Sequence, residues 1–212
     1  MTIDTEDRRS YQTRVSSFTR QQREDTCFTR SIQNVVDDFV RRRDDRSLEL
    51  SHDTIKNACD YRPGLGATAE PLPESLADHL SPHGYTAQIE TEVDQSELTN
   101  IVEREAASLP IVELSESYLH NADGYEVQAG MHGEAIPHTV IVFTVNHDVI
   151  QFFDPYEDFY APPESGGGPP SQLPKSQFYQ WWSEGTSRWT MWIEREPQRT
   201  LEQASELTDE GR

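Results

Sequence analysis

The strongest periodic signal in the chain begins near Thr26. Phe28, Ile32, Val35, Val36, Phe39 and Val40 recur at helical spacing and form one stripe, while Arg30, Gln33 and Asp37 fall on the opposite side. This predicts an amphipathic helix capped by Asp25 or Thr26, with the arginines of RRRDDR complementing the negative end of its dipole. Shorter helices are predicted over 51–60, over 74–81 with a stop at Gly84, and over 95–107 leading into the apolar strand LPIVEL.

The period changes in the second half. TVIVFTV (139–145) and VIQFF (149–153) are β-branched and aromatic runs separated by Asn146, His147 and Asp148, which predicts a tight antiparallel hairpin. A further strand is expected over 188–194, after a short helix in SQFYQWW. Glycine and proline make APPESGGGPPSQLP (161–174) a loop. Helices come first and the sheet follows, an α+β pattern rather than repeating βαβ units. The polar ends, 1–19 and 196–212, read as an N-terminal arm and an acidic C-terminal tail around one domain at 20–195.

Composition narrows the setting. Of 212 residues only 34% are hydrophobic, and no run approaches a membrane span. The N-terminus carries charges but no apolar segment of the secretory kind, so a cytoplasmic protein is expected. The 38 acidic side chains against 18 basic ones give a net charge of −20, which makes nucleic acid a poor partner because binding it needs a cationic footprint. Lys56 and Lys175 are the only lysines. An acidic, lysine-poor surface suits molar salt, where crowded carboxylates are screened, and the chain reads as halophilic.

Only Cys27 and Cys59 are available for thiol chemistry, too few for a disulfide scaffold or a zinc site made of thiolates alone. Cys59 lies late in a helical pattern and reads as packing. Cys27 lies in the first turn of the first helix, where unpaired backbone N–H groups and the dipole favour a thiolate. His138 and Asp154 flank the hairpin symmetrically about Asn146, so they should be cross-strand neighbours to within one register step. A carboxylate beside an imidazole fixes its tautomer and supports the imidazolium, as a general base requires. The rest of that face, Val140, Val142, Ile150 and Phe152, is expected to pack on the first helix and so bring Cys27 to His138. Gln21 and Gln22 stand six and five residues before Cys27, where a side-chain amide and the Cys27 N–H could converge on one oxyanion.

Other features carry blander readings. His132, Glu134 and His138 lie in MHGEAIPH, which glycine and proline keep from presenting metal ligands on a helix. His52, His79, His83, His120 and His147 sit among polar residues and are expected to be solvated. Trp181, Trp182, Trp189 and Trp192 read as core, and GGGPP lacks the Lys-Ser or Lys-Thr of a phosphate loop. No metal or cofactor is implied.

In their order along the chain, Gln21, Cys27, His138 and Asp154 resemble the papain-like cysteine peptidases. ESLADHLSPHGY, LPIVEL, HTVIVFTVNHDVIQFFDPY and QFYQWW make the chain similar to the double-glycine leader peptidases, family thirty-nine of the cysteine peptidases, over about residues 20 to 195. The resemblance implies a papain-like fold, with the Cys27 helix packed on a C-terminal antiparallel sheet. It implies Cys27 as nucleophile, His138 as general base, Asp154 as orienting carboxylate and Gln21 in the oxyanion hole. It further implies a peptide or protein substrate, cut after paired small residues. Phe28 departs from the small residue that usually follows the cysteine in the family, and no transporter is expected beside the domain. Two functions follow: a thiol peptidase, or a non-catalytic peptide-binding module with its chemistry blocked by Phe28 or a displaced Gln21.

Overall fold

Both faces of the TVIVFTV strand are covered by helices, which is why its sequence is apolar almost throughout. The computed structural model describes residues 18–19, 26–42, 48, 50–63, 66–67, 72–115, 118, 137–155, 171–184 and 187–196. Positions 1–17 and 197–212, most of the expected arm and tail, lie outside them. In chain order the elements are α1 (Cys27–Arg42), α2 (His52–Ala58), α3 (Leu72–Leu80), a single 3-10 turn (Ser81–His83), β1 (Tyr85–Glu90), α4 (Gln95–Glu103) and β2 (Ile111–Leu114). They continue with β3 (His138–Val145), β4 (Val149–Phe153), β5 (Ser171–Pro174), α5 (Lys175–Ser183) and β6 (Thr190–Arg195). The strands form one antiparallel sheet in the order β1-β6-β2-β3-β4-β5.

Two cores lie on opposite faces of the sheet. On one, Ile111, Ile141, Phe143, Phe153 and Met191 meet Phe28, Ile32, Val35 and Phe39 of α1, with α2 and α3 alongside. On the other, Val112, Val140, Val142, Ile150 and Phe152 meet Leu98 and Ile101 of α4 and Phe178, Trp181 and Trp182 of α5. The face expected under the first helix is therefore the wrong one: Val140, Val142, Ile150 and Phe152 pack on α4 and α5, and α1 takes the alternate residues. A strand buried on both sides has no polar face to orient it, so its sequence leaves that choice open.

Phe28, Ile32, Val35, Val36 and Phe39 of the α1 stripe are buried as predicted, and the Thr26 carbonyl accepts the Arg30 N–H at 3.0 Å, which makes Thr26 the N-cap. Arg30, expected in water, is only 9% exposed, because Phe18–Thr19 and α2 cover that side of the helix. Its guanidinium donates to Gln33 Oε1 at 2.6 Å and to Thr19 Oγ1 at 3.3 Å, and lies 3.0 Å from His52 Nδ1. Asn34 clamps the Thr19 backbone, accepting its N–H at 2.8 Å and donating to its carbonyl at 2.9 Å. Phe18 packs on Phe143 and Phe153, with ring centroids 5.6 and 5.1 Å apart. His52 is likewise half-buried rather than solvated, with Nε2 2.9 Å from Thr29 Oγ1. Burial first, then the charges of Arg30 and Lys56, depress its pKa to about 4, so it is neutral.

Two strands have no clear sequence signal. β1 (YTAQIE) mixes β-formers with Ala, Gln and Glu and starts directly after Gly84, whose φ of 73° closes the 3-10 turn. β5 lies inside the Gly/Pro-rich stretch read as a loop. It is an edge strand, paired only with β4, and Pro174 is tolerated there because an edge strand can lack a donor. The α4 helix stops at Glu103, short of residue 107, where Ala107 bridges to Glu194 instead. Phe39, with no exposure, anchors α1 against Tyr85 at a centroid distance of 5.6 Å. Phe39→Ala is expected to cost about 3–5 kcal/mol in urea unfolding. A loss below about 1 kcal/mol would contradict the central placement of this helix.

Candidate active site

Cys27 is the first residue of α1, His138 the first of β3, and Asp154 the residue immediately after β4. The hairpin pairs Ile141 with Phe153 and Val142 with Phe152, two residues away from the symmetric register, with a bulge between Val142 and Thr144. An even offset keeps side-chain parity, so Asp154 and His138 stay on one face as diagonal rather than direct neighbours. They meet: His138 Nε2 lies 2.7 Å from Asp154 Oδ1. The imidazole is 4% exposed and the carboxylate 0%.

The thiol arrives from the other side of the sheet. Cys27 is half-buried, and its thiol lies close enough to the His138 imidazole and to Thr139 for both to act on its ionisation. Thr139 Oγ1 is buried and has no hydrogen-bond partner among the described residues. His138 and Thr139 are consecutive in β3, so their side chains leave opposite faces. With Nε2 turned to Asp154, Nδ1 is the imidazole nitrogen left for the thiol.

Charges follow from this geometry. Burial alone would push the Cys27 thiol up, but the hydrogen bond and positive charge of His138, with the Thr139 contacts, bring it below its ordinary value. Burial alone would lower His138. The charge and hydrogen bond of Asp154, and then Cys27, outweigh that and hold the imidazole well above its usual range, at about 10. A thiol moved down and an imidazole moved up favour the thiolate–imidazolium pair near neutral pH. Cys59 is the contrast: 0% exposed, its thiol pushed up to about 12 by burial. It is packing, as expected.

Three residues at the site carry no role in the sequence reading. Tyr118, 3% exposed, donates its hydroxyl to Asp154 Oδ2 at 2.7 Å and stacks on the His138 ring at 5.8 Å with planes 12° apart. It lies in the polar stretch SESYLHNADGY, where a lone aromatic has no periodic neighbours. Thr139 reads as an ordinary β-former. Glu113, directly opposite Thr139 in the β2–β3 register, did leave a signal, a single charge inside the apolar LPIVEL. Burial pushes its carboxyl up to about 7.

Gln21 and Gln22, the candidate oxyanion donors, lie outside the described residues, as do His120, His132 and Glu134. Phe28 is buried in the α1 core, edge-on to Trp189 at 5.5 Å. All four tryptophans are buried, between 0% and 8% exposed. Among the described residues no group of three or more His, Cys, Asp and Glu side chains could hold a metal ion. No helix there is long and apolar enough to cross a membrane.

The architecture is the papain-like α+β fold in the form seen in C39 peptidase domains. A C39-like peptidase from Bacillus anthracis superposes with a TM-score of 0.55 at 13% identity, covering 86% of this chain and 97% of that one. The peptidase domain of Streptococcus ComA, a bifunctional ABC transporter of a quorum-sensing pathway, gives 0.50 at 11% identity, covering 84% and 97%. No protein-family model matches the chain. No curated protein sequence matches it either.

Iodoacetamide at pH 7 is expected to alkylate Cys27 about a hundredfold faster than Cys59, read by peptide mass spectrometry; equal rates would contradict the charge distribution described. For Glu113, the folded value of about 7 lies above the ordinary 4.5, so the unfolded chain loses this proton first and stability falls as pH rises between them. Glu113→Gln should therefore stabilise the protein by about 1–2 kcal/mol at pH 8 and by little at pH 5. Denaturant titrations at the two pH values check it, and an equal effect at both would contradict it.

Proposed function

We propose that the protein is a cysteine peptidase that cleaves peptide or protein substrates through Cys27, His138 and Asp154, with Gln21 as oxyanion donor. The observation that carries this reading is the buried hydrogen bond of 2.7 Å between His138 and the unexposed Asp154 carboxylate, with Cys27 near enough to the same imidazole for it to lower the thiol pKa. The papain-like fold of the neighbouring peptidase domains supports the substrate class.

In this mechanism the Cys27 thiolate attacks the scissile carbonyl carbon, forming a C–S bond as the carbonyl electrons move to oxygen. The Cys27 backbone N–H, unpaired at the helix start, and the Gln21 amide donate to that oxyanion. His138 then gives its Nδ1 proton to the leaving amine, and the C–N bond breaks to leave a thioester. Water adds next, losing a proton to the same nitrogen, and the C–S bond breaks to release the acid and restore the thiolate. Asp154 remains charged throughout and holds the imidazole by its far nitrogen.

The non-catalytic reading required a blocked nucleophile. Phe28 packed against Trp189 leaves the helix start free of its side chain, which favours the enzyme. The net charge of −20 suits a halophilic, cytoplasmic protein, so hydrolysis is assayed at high salt. Cys27→Ala is expected to abolish cleavage of a fluorogenic peptide library while shifting the melting temperature by no more than about 3 °C. Cleavage that survives this substitution would overturn the assignment.

A further inference from the structure

Tyr118 is fixed beside the site at several points. Its backbone N–H bonds the Ser115 carbonyl at 2.9 Å, and the Ser115 N–H bonds the Trp181 carbonyl at 2.8 Å, tying the end of β2 to α5. The phenol ring is wedged between Trp181 and Phe152, with centroids 5.6 and 5.9 Å away and planes at 63° and 74°. Its open face lies flat along the His138 imidazole, and its hydroxyl ends on the carboxylate oxygen that His138 does not use. One side chain thus touches both members of the histidine–carboxylate pair.

We propose that Tyr118 is a positioning residue for the Cys27–His138 chemistry: its hydroxyl locks the Asp154 carboxylate against rotation while its ring fixes the imidazole plane and keeps water from their bond. This rests on the peptidase reading above. A carboxylate held by one oxygen can turn about its χ2 torsion, which is broad, and carry the histidine with it. Held by both oxygens, it has a single orientation. A shift of about 1 Å in such a pair is enough to lose a hundredfold in rate. The ring adds a second constraint, because an offset, near-parallel stack resists tilting of the imidazole. Desolvation then strengthens the bond being protected.

The two halves of this role separate by substitution in the full-length chain. Tyr118→Phe removes the hydroxyl and keeps the ring; Tyr118→Leu removes both. The expected result for Tyr118→Phe is a melting temperature close to the parent's, a tenfold or greater fall in the Cys27 alkylation rate at pH 7, and a matching fall in kcat with KM unchanged. Tyr118→Leu should fall further, and the low-field proton signal of the His138–Asp154 bond should be lost to exchange with water. If Tyr118→Leu fails to fold, the Phe variant alone decides the question. Parental alkylation and kcat in Tyr118→Phe would overturn the proposal, as would a change confined to KM. A parent whose Cys27 reacts no faster than Cys59 would instead overturn the peptidase reading, so the two failures are distinct.

Discussion

A carboxylate with no exposure to water stays charged only where donors replace the water it has lost, and Asp154 is such a group. His138 Nε2 and the Tyr118 hydroxyl each approach it at 2.7 Å, one on each oxygen. The charge so stabilised raises the pKa of the histidine, and the histidine in turn lowers that of the cysteine. Each link depends on the one buried more deeply. The reactive atom lies at the half-exposed end of the chain and its support at the sealed end.

The sheet explains how three residues far apart in sequence converge. Its two faces are covered by separate cores, with α1 on one and α4 and α5 on the other. Asp154, Tyr118 and the His138 ring belong to the second face, and Cys27 arrives with the helix on the first. They meet at His138, the first residue of β3 and the last in its pairing with β2. The end of a sheet, beside a helix N-terminus, combines rigid support with unpaired backbone N–H groups, and both suit acyl transfer.

The same helix illustrates how packing converts polar residues into structure. Arg30, Asn34 and Thr29 hold Phe18–Thr19 and His52, so the chain is fixed two residues before Gln21 and again at Thr26. Glu113 shows the opposite case, a carboxyl whose burial leaves it close to neutral beside Thr139.

By itself the sequence determined the α1 stripe, through its helical periodicity, and the hairpin, the α+β class and the nearness of His138 to Asp154, through two short β-forming runs set symmetrically about a tight turn. The four residues of the resemblance could also be read there, Cys27 from its place at a helix start. Only the tertiary structure decided which face of the hairpin met α1, since a strand covered on both sides carries no mark of its orientation. It alone buried Arg30 and His52, and it made β1 and β5 strands through partners rather than propensity. Tyr118 joined the site the same way: its contacts with Asp154 and His138 span 36 and 20 positions of chain. No pattern local to SESYLHNADGY encodes contacts at that range, and they exist only once β2, β4 and α5 have packed.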